Sequence, residues 1–324
     1  MSEYYRIISI LIGAALDLMI GDPQWMPHPV RWIGSLIALL EGRLRRAGDP
    51  PRRQRWKGAL LVLIVLAVTG GAAWGLLRLM YRLHPAAGIA AEAILCCYAL
   101  AARNLGESAM AVYKPLIRGD VEGARAAVSM IVGRDTSVLD EDGIIRAAVE
   151  TVAENTADGV IAPMLYLFLG GAVGGMLYKA VNTMDSMLGY QNTEYRYFGT
   201  AAARLDDAAG FVPARISALC LMAAALLIGQ DAAGARRIYA RDRRRHKSPN
   251  AGQSESVMAG ALGVRLAGDA VYFGRVEHKP YIGDPVRPIE AEDIPRAVRM
   301  MYAASGICLA ACTAIAWICV RVLI

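Results

Sequence analysis

The stretches 58–80 (GALLVLIVLAVTGGAAWGLLRLM) and 301–323 (MYAASGICLAACTAIAWICVRVL) carry one arginine each and no acid. Helices of that length match the hydrocarbon thickness of a bilayer, and a soluble core has no use for two of them. The chain as a whole is 56% hydrophobic yet 20% charged. That is too apolar for an ordinary soluble domain and too charged for a pure bundle of spans. The expectation is an all-α, polytopic integral membrane protein with helical and loop portions on the cytoplasmic side, forming a single membrane-embedded domain over 1–324.

Residues 4–20 and 86–101 are weaker spans. The first is short and carries Asp17, which is read at a water interface because a charge in hydrocarbon is costly unless paired. It also lacks a basic n-region beyond Arg6, so it is not read as a cleavable signal. A basic cluster from Arg43 to Lys57 precedes the 58–80 span, and a second, Arg236 to Lys247, follows the apolar run 211–229. Positive residues mark the cytoplasmic side, which places both clusters there. By parity, the apolar runs 160–178 and 211–229 either both cross or neither does. Gly170-Gly171 and Gly174-Gly175 suit a re-entrant turn in the first, and neither run is expected to cross fully. Residues 32–41 read as an amphipathic helix, 103–150 as soluble helices, and MAGALGVRL as a further helix.

Trp56 and Tyr239 are the single aromatic rings in the two basic clusters, too few for a stacking platform, so the clusters read as membrane-side anchors and not as a nucleic-acid surface. Cys96, Cys97, Cys220, Cys308, Cys312 and Cys319 all sit in apolar runs without a C-x-x-C pair, which argues against zinc or redox chemistry.

The densest polar stretch is GRDTSVLDEDGIIRAAVETVAENTADGV, residues 133–160. In it Arg146, Glu150, Glu154 and Asp158 recur every four residues, one stripe on a helix. Three carboxylates stacked one turn apart repel one another unless a cation or several donors answer them. Asn155-Thr156-Ala157-Asp158-Gly159 is echoed by Asn182-Thr183-Met184-Asp185-Ser186 beyond the apolar run. Carboxylates and amide oxygens are hard ligands suited to magnesium and the phosphates it carries. The candidate metal set is therefore Glu150, Glu154, Asn155, Asp158, Asn182 and Asp185. The competing reading is that both pentapeptides are helix caps.

Two further segments concentrate polar groups. GDPQWMPHPVR, 21–31, holds Asp22, His28 and Arg31 in a proline-stiffened loop. RHKSPNAGQSE, 245–255, places His246, Lys247, Ser248 and Asn250 around a turn whose N–H groups can form an anion nest. Ala203-Arg204-Leu205-Asp206-Asp207 reads as ion pairing, and GDPVRP at 283–288 partly echoes the 21–31 loop.

Taken together, GDPQWMPHPVRWIG, IVGRDTSVLDEDGIIRAAVETVAENTADGVIAPMLY, YKAVNTMDSMLGYQN, FGTAAARLDDAAGFVPAR and HKSPNAGQSESVMAGALGVRL resemble the adenosylcobinamide-phosphate synthase family of cobalamin biosynthesis over nearly the whole chain. Two positions depart from its pattern: Gly210 replaces a usual asparagine, and Gln253 a common aromatic. The resemblance implies an integral membrane ligase. It would join a propionate of adenosylcobyric acid, a corrinoid, to aminopropanol or its phosphate ester, using ATP and magnesium (Mg2+). It would sit in the cytoplasmic membrane with its site facing the cytoplasm, as a homo-oligomer or beside other membrane enzymes of the pathway.

On that reading Glu150, Glu154, Asp158 and Asp185 ligate magnesium, and Arg134, Lys179 and Arg204 meet phosphate oxygens. His246 or His28 is the general base, with Lys179 the third catalytic candidate. Asp22, Arg31, Asp135, Lys247, Ser248 and Asn250 complete the nucleotide and substrate contacts. The chain has no P-loop, so ATP is held in another way. Two other classes compete: a transporter with an acidic ion path, and a magnesium-dependent alcohol phosphotransferase.

Overall fold

The structure, a computed structural model, describes residues 3–21, 27–46, 48–190, 195–272 and 274–323. Asp22 and Trp25 of the first loop lie outside the described residues. The helices are α1 Glu3–Ile20, α2 Pro29–Leu44, α3 Pro51–Leu83, α4 Pro85–Ala99, α5 Ala102–Leu116, α6 Val121–Ser129, α7 Glu141–Asn155, a π-helical turn Thr156–Ile161, α8 Ala162–Leu188, α9 Thr200–Leu227, α10 Ala232–Asp242, α11 Ala251–Leu262 and α12 Asp293–Leu323. Their starts are written in the sequence. Pro29, Pro51 and Pro85 open helices where a missing N–H costs nothing. Asp120, Asp140 and Asp231 each accept the N–H of the glycine three residues on, at 2.8 Å.

Among the described residues five helical stretches are long and apolar enough to cross a membrane: Pro51–Leu83, Pro85–Leu116, Glu141–Leu188, Thr200–Leu227 and Asp293–Val322. The chain is a polytopic, all-α membrane protein. α1, with Glu3, Arg6 and Asp17, is not among the five. Asp17 is 2% exposed, enclosed by protein where the sequence suggested a water interface.

The contacts divide the chain into two compact units. The first is Met1–Ala101, Ala162–Gly210 and Cys312–Ile324; the second is Ala102–Ile161 and Phe211–Ala311. In the first unit α1 runs beside α4 in the same direction: the Ser9 hydroxyl donates to the Ile89 carbonyl at 3.4 Å, and Gly13 lies against Cys96. α3 packs on α4 and α8, and α2 on α3 and α8. Ile10, Ile37, Leu61, Leu167 and Met184 are fully buried between them.

Within this unit α8 is a helical hairpin. Gly171 has φ 62° and ψ −163°, a conformation only glycine adopts without strain. The arms fold back on each other, so that the rings of Tyr166 and Tyr178 stack with centroids 4.9 Å apart. A straight helix would hold those residues about 18 Å apart. A side chain at Gly174 would strike the Tyr166 carbonyl, and one at Gly175 the Leu167 side chain. The apolar run 160–178 therefore reverses, as the glycine pairs suggested. The run 211–229 lies mostly in α9, whose 28 residues form one helix long enough to cross despite Pro213.

In the second unit α7 and α11 are the buried pair. Every residue of α11 is buried. Its close packing on α10 depends on Gly260 and Gly234, where an added methyl would meet backbone atoms. Four short strands, which the sequence reading did not anticipate, make a ribbon against these helices. β1 Leu266–Ala267 pairs antiparallel with β4 Tyr281–Ile282, and β2 Ala270–Tyr272 with β3 Arg275–Glu277. Asp242, fully buried, ties α10 to the ribbon. It binds Arg241 at 2.7 Å and Arg245 at 3.1 Å, and accepts the Gly283 N–H at 2.9 Å. Replacing it removes the acceptor and strands the arginines. Asp242→Ala should cost about 3 kcal/mol of stability, read as a fall in the thermal midpoint in detergent; an unchanged midpoint would show that this anchor is dispensable.

Candidate active site

The polar stretch after Gly133 meets the end of α10, the start of α11 and the ribbon around one cavity of about 200 Å³. Its charged and polar lining is Arg134, Glu150, Thr151, Glu154, Asn155, His246, Glu255, Tyr272 and Lys279, with Gly133, Ala267 and Gly268 beside them. α7 delivers Glu150, Glu154 and Asn155 from one face, as their four-residue spacing requires.

Glu150 is the keystone. One carboxylate oxygen takes the Arg134 guanidinium, and the other accepts the Ala267 N–H at 2.6 Å. Ala267 has φ 58°, left-handed for a residue with a side chain, which costs about 1 kcal/mol or more. The strain falls at the cavity wall, where it points the N–H at Glu150. Burial opposes the Arg134 charge, but the Glu150 carboxylate outweighs it and holds the guanidinium protonated above its ordinary range.

His246 lies half-buried on the turn before α11. Its Nδ1 accepts the Ser248 N–H at 3.0 Å, and its Nε2 is 4.0 Å from Glu255 Oε1. A backbone N–H on Nδ1 fixes the tautomer with the proton on Nε2. Burial, then the Lys279 charge, push this imidazole below its ordinary value, so it stays neutral. A neutral ring in this tautomer presents its Nε2–H toward Glu255 and the cavity. His28 repeats the arrangement: its Nδ1 accepts the Val30 N–H at 3.2 Å, capping α2, and its ring packs edge-on against Tyr98 in the first unit.

Glu255 is fully buried on α11. Burial first, then the Glu150 and Glu154 charges, push its carboxyl well above the usual range, so it is held protonated. Arg134, Lys279 and His246 face it from the other walls. Lys279 Nζ donates to the Tyr272 hydroxyl at 2.8 Å and sits 4.7 Å over that ring. Lys279, Tyr272 and Glu255 carried no role in the sequence reading. Glu255 had a signal, a lone acid in a helix of small and apolar residues. Lys279 and Tyr272, on a ribbon the sequence did not announce, had none.

The proton on Glu255 has a stability consequence. Above about pH 4.5 the unfolded chain has released it while the folded chain keeps it, so this group's contribution to stability falls as pH rises. Glu255→Gln cannot ionise, and its thermal midpoint should decline less than that of the parent between pH 5 and pH 8. Parallel profiles would mean that the carboxyl is ionised when folded.

The other expected residues fall outside this cavity. Asp135 fastens the ribbon, accepting the Gly274 N–H at 2.7 Å and donating its own N–H to Val271 at 2.8 Å. Lys247 is exposed and paired with Glu277. Ser248 Oγ accepts the Asn250 and Ala251 N–H groups at the start of α11, where Asn250 is buried. Gln253, in the place of the family's aromatic, is buried and donates to the Pro249 carbonyl at 3.1 Å. Arg31, Lys179, Asn182, Asp185 and Arg204 belong to the first unit, where Asp185 lies within electrostatic reach of Asp207. Asp158 does not line the cavity, because the π-helical turn after Asn155 breaks the four-residue register.

Neither NT-x-D motif caps a helix N-terminus: Thr156 is the C-cap of α7, and the second motif lies within α8. Thr156 and Thr183 donate their hydroxyls to the carbonyls four residues back, Val152 at 2.6 Å and Lys179 at 2.7 Å. Among the described residues no three His, Cys, Asp or Glu side chains converge as a metal cage.

The chain is thus a polytopic helical membrane protein whose second unit holds a small cavity lined by two cations, three carboxyls and an imidazole. A family model described as CobD/Cbib protein matches residues 10–301. The chain is 51% identical over 304 residues to the cobalamin biosynthesis protein CobD of Klebsiella pneumoniae subsp. pneumoniae, covering 94% of this chain and 95% of that one. It is 50% identical to the CobD protein of Geobacter metallireducens, over 91% of this chain and 92% of that one. It is 47% identical to the cobalamin biosynthesis protein CbiB of Salmonella typhimurium, over 94% and 95%. The chain belongs to the CobD/CbiB family. No solved structure matches it.

Proposed function

We propose that the chain is a cobalamin-biosynthesis enzyme that forms an amide between a propionate carboxylate of adenosylcobyric acid and aminopropanol or its phosphate ester, driven by ATP. The observation that supports it most is the cavity of the second unit, where Arg134 and Lys279 stand opposite Glu150, Glu154 and Asn155. About 200 Å³ is below the size of a drug-like site. It admits reacting groups, a polyphosphate end and a carboxylate, and keeps a corrin ring outside with one propionate reaching in.

The donors fit magnesium. Mg2+ is commonly held by one or two carboxylates plus phosphate oxygens and water, so a cage of three acids is not required. Glu154 and Asn155 bring a carboxylate and an amide oxygen to the cavity wall and would hold the ion. The wider set of Asp158, Asn182 and Asp185 stays in the proposal as further oxygen donors. A carboxylate is a poor acyl donor at neutral pH, and ATP supplies the activation by making one of its oxygens a leaving group.

The chain's own groups do the rest. Arg134 presents a fork and Lys279 a point charge to phosphate oxygens. His246 Nε2 and the Glu255 carboxyl donate protons in hydrogen bonds to charge building up beside them. The buried wall of α11 excludes water that would compete with the amine. The basic segment 236–247 supports a reading in which this end of the protein faces the cytoplasm from the cytoplasmic membrane.

The test is purified protein in detergent with ATP, Mg2+, adenosylcobyric acid and aminopropanol phosphate, products read by mass. Amide formation supports the reading. Substrate flux with no amide would favour a transporter, and release of a nucleoside monophosphate without need of the corrinoid would favour a phosphotransferase.

A further inference from the structure

The first unit holds a separate cavity of about 730 Å³ at the C-terminal end of α3. It lies about 35 Å along that helix from Arg52 and Lys57, so by the charge rule it opens toward the opposite membrane face. Its walls are the first turn of α1, the last turns of α3, the start of α4 and the tip of the α8 hairpin.

The lining carries both signs of charge. Glu92 is 3% exposed; one oxygen accepts the Tyr81 hydroxyl at 2.6 Å, and the other lies against Gly171, where a Cβ would come within 3.1 Å. Arg6 reaches the same tip and donates to the Phe168 carbonyl at 3.5 Å. Arg78 and Arg82 stand one turn apart on α3, exposed, and neither forms an ion pair among the described residues. Two guanidiniums at that spacing clamp a phosphate. The buried Glu92 carboxylate, with Arg6 at the same hairpin tip, adds a negative group to this lining that an ammonium can answer and a plain anion cannot. The ligand that answers both has a phosphate and a primary amine a few ångströms apart.

The rim adds a further requirement. Trp74, Leu79 and Leu83 are 58%, 53% and 67% exposed around the same helix end. An acyl chain can cover such a surface, whereas a small water-soluble ester cannot. We propose that this cavity binds an aminoalkyl phosphate presented as the headgroup of a phosphatidylethanolamine-type lipid.

The full chain in detergent, given dioleoyl phosphatidylethanolamine, phosphatidylglycerol or phosphatidylcholine, tests this by native mass spectrometry. Phosphatidylethanolamine should be retained at least tenfold more strongly than either of the others, and Arg78→Gln with Arg82→Gln should abolish the difference. Glu92→Gln, which can keep the Tyr81 hydrogen bond, should bring phosphatidylglycerol to parity. Equal retention of all three lipids, or a preference untouched by the surface double variant, overturns the proposal. Binding of free O-phosphoethanolamine without retained lipid overturns the lipid assignment in favour of a soluble ester. None of these readouts depends on amide formation.

Discussion

Arg134→Met is expected to lower amide-forming turnover at least a thousandfold. Removing one preorganised donor from a site of developing charge costs about a hundred- to a thousandfold. Arg134 also holds Glu150, whose other oxygen positions the strained Ala267 backbone, so the loss spreads through the wall. The single variant is confounded, since removing one partner of a buried pair costs about 3–5 kcal/mol of stability. The double variant Arg134→Met, Glu150→Leu separates the two effects. Replacing both charges by apolar groups is often neutral for stability, so its thermal midpoint should recover in part, less the cost of the stranded Ala267 N–H, while activity stays lost. Arg134→Lys keeps the charge but not the fork and should restore only a small fraction of the rate. Recovery of activity in the double variant would make this pair a structural strut and nothing more.

Glu154→Gln should raise the Mg2+ concentration needed for half-maximal activity at least tenfold and lower the maximal rate about a hundredfold. The amide keeps the size and one oxygen of the carboxylate but loses its charge, so folding should be spared. Glu154 lines the cavity one helical turn from Glu150 and beside Asn155, where its carboxylate can meet an ion. A magnesium titration at saturating ATP reads the shift directly. An unchanged midpoint with a lower rate would move Glu154 from ion holding to substrate positioning.

The parts legible in the sequence are those that depend on local pattern. α3 and α12 follow from apolar length, and the α8 reversal from two glycine pairs in one greasy run. The harder features depend on register and tertiary contact. The stripe from Arg146 to Asp158 assumes an uninterrupted α-helix, and the π-helical turn at Thr156–Ile161 keeps Glu150 and Glu154 at the cavity while dropping Asp158 from its lining. Strands of two or three residues carry no periodic signal, so the ribbon with Lys279 and Tyr272 was invisible. The histidine roles turned on which ring nitrogen meets a backbone N–H, a matter of turn geometry that composition does not contain.

The central claim is that the cavity of the second unit activates a corrinoid carboxylate with ATP for amide formation. The most direct measurement uses adenosylcobyric acid labelled with oxygen-18 in its free carboxylate, incubated with purified protein, ATP, Mg2+ and aminopropanol phosphate. One labelled oxygen should pass into phosphate for each amide formed, and Glu154→Gln and Arg134→Met should suppress both products together. Amide formation without label transfer, or both products persisting in those variants, would contradict the account.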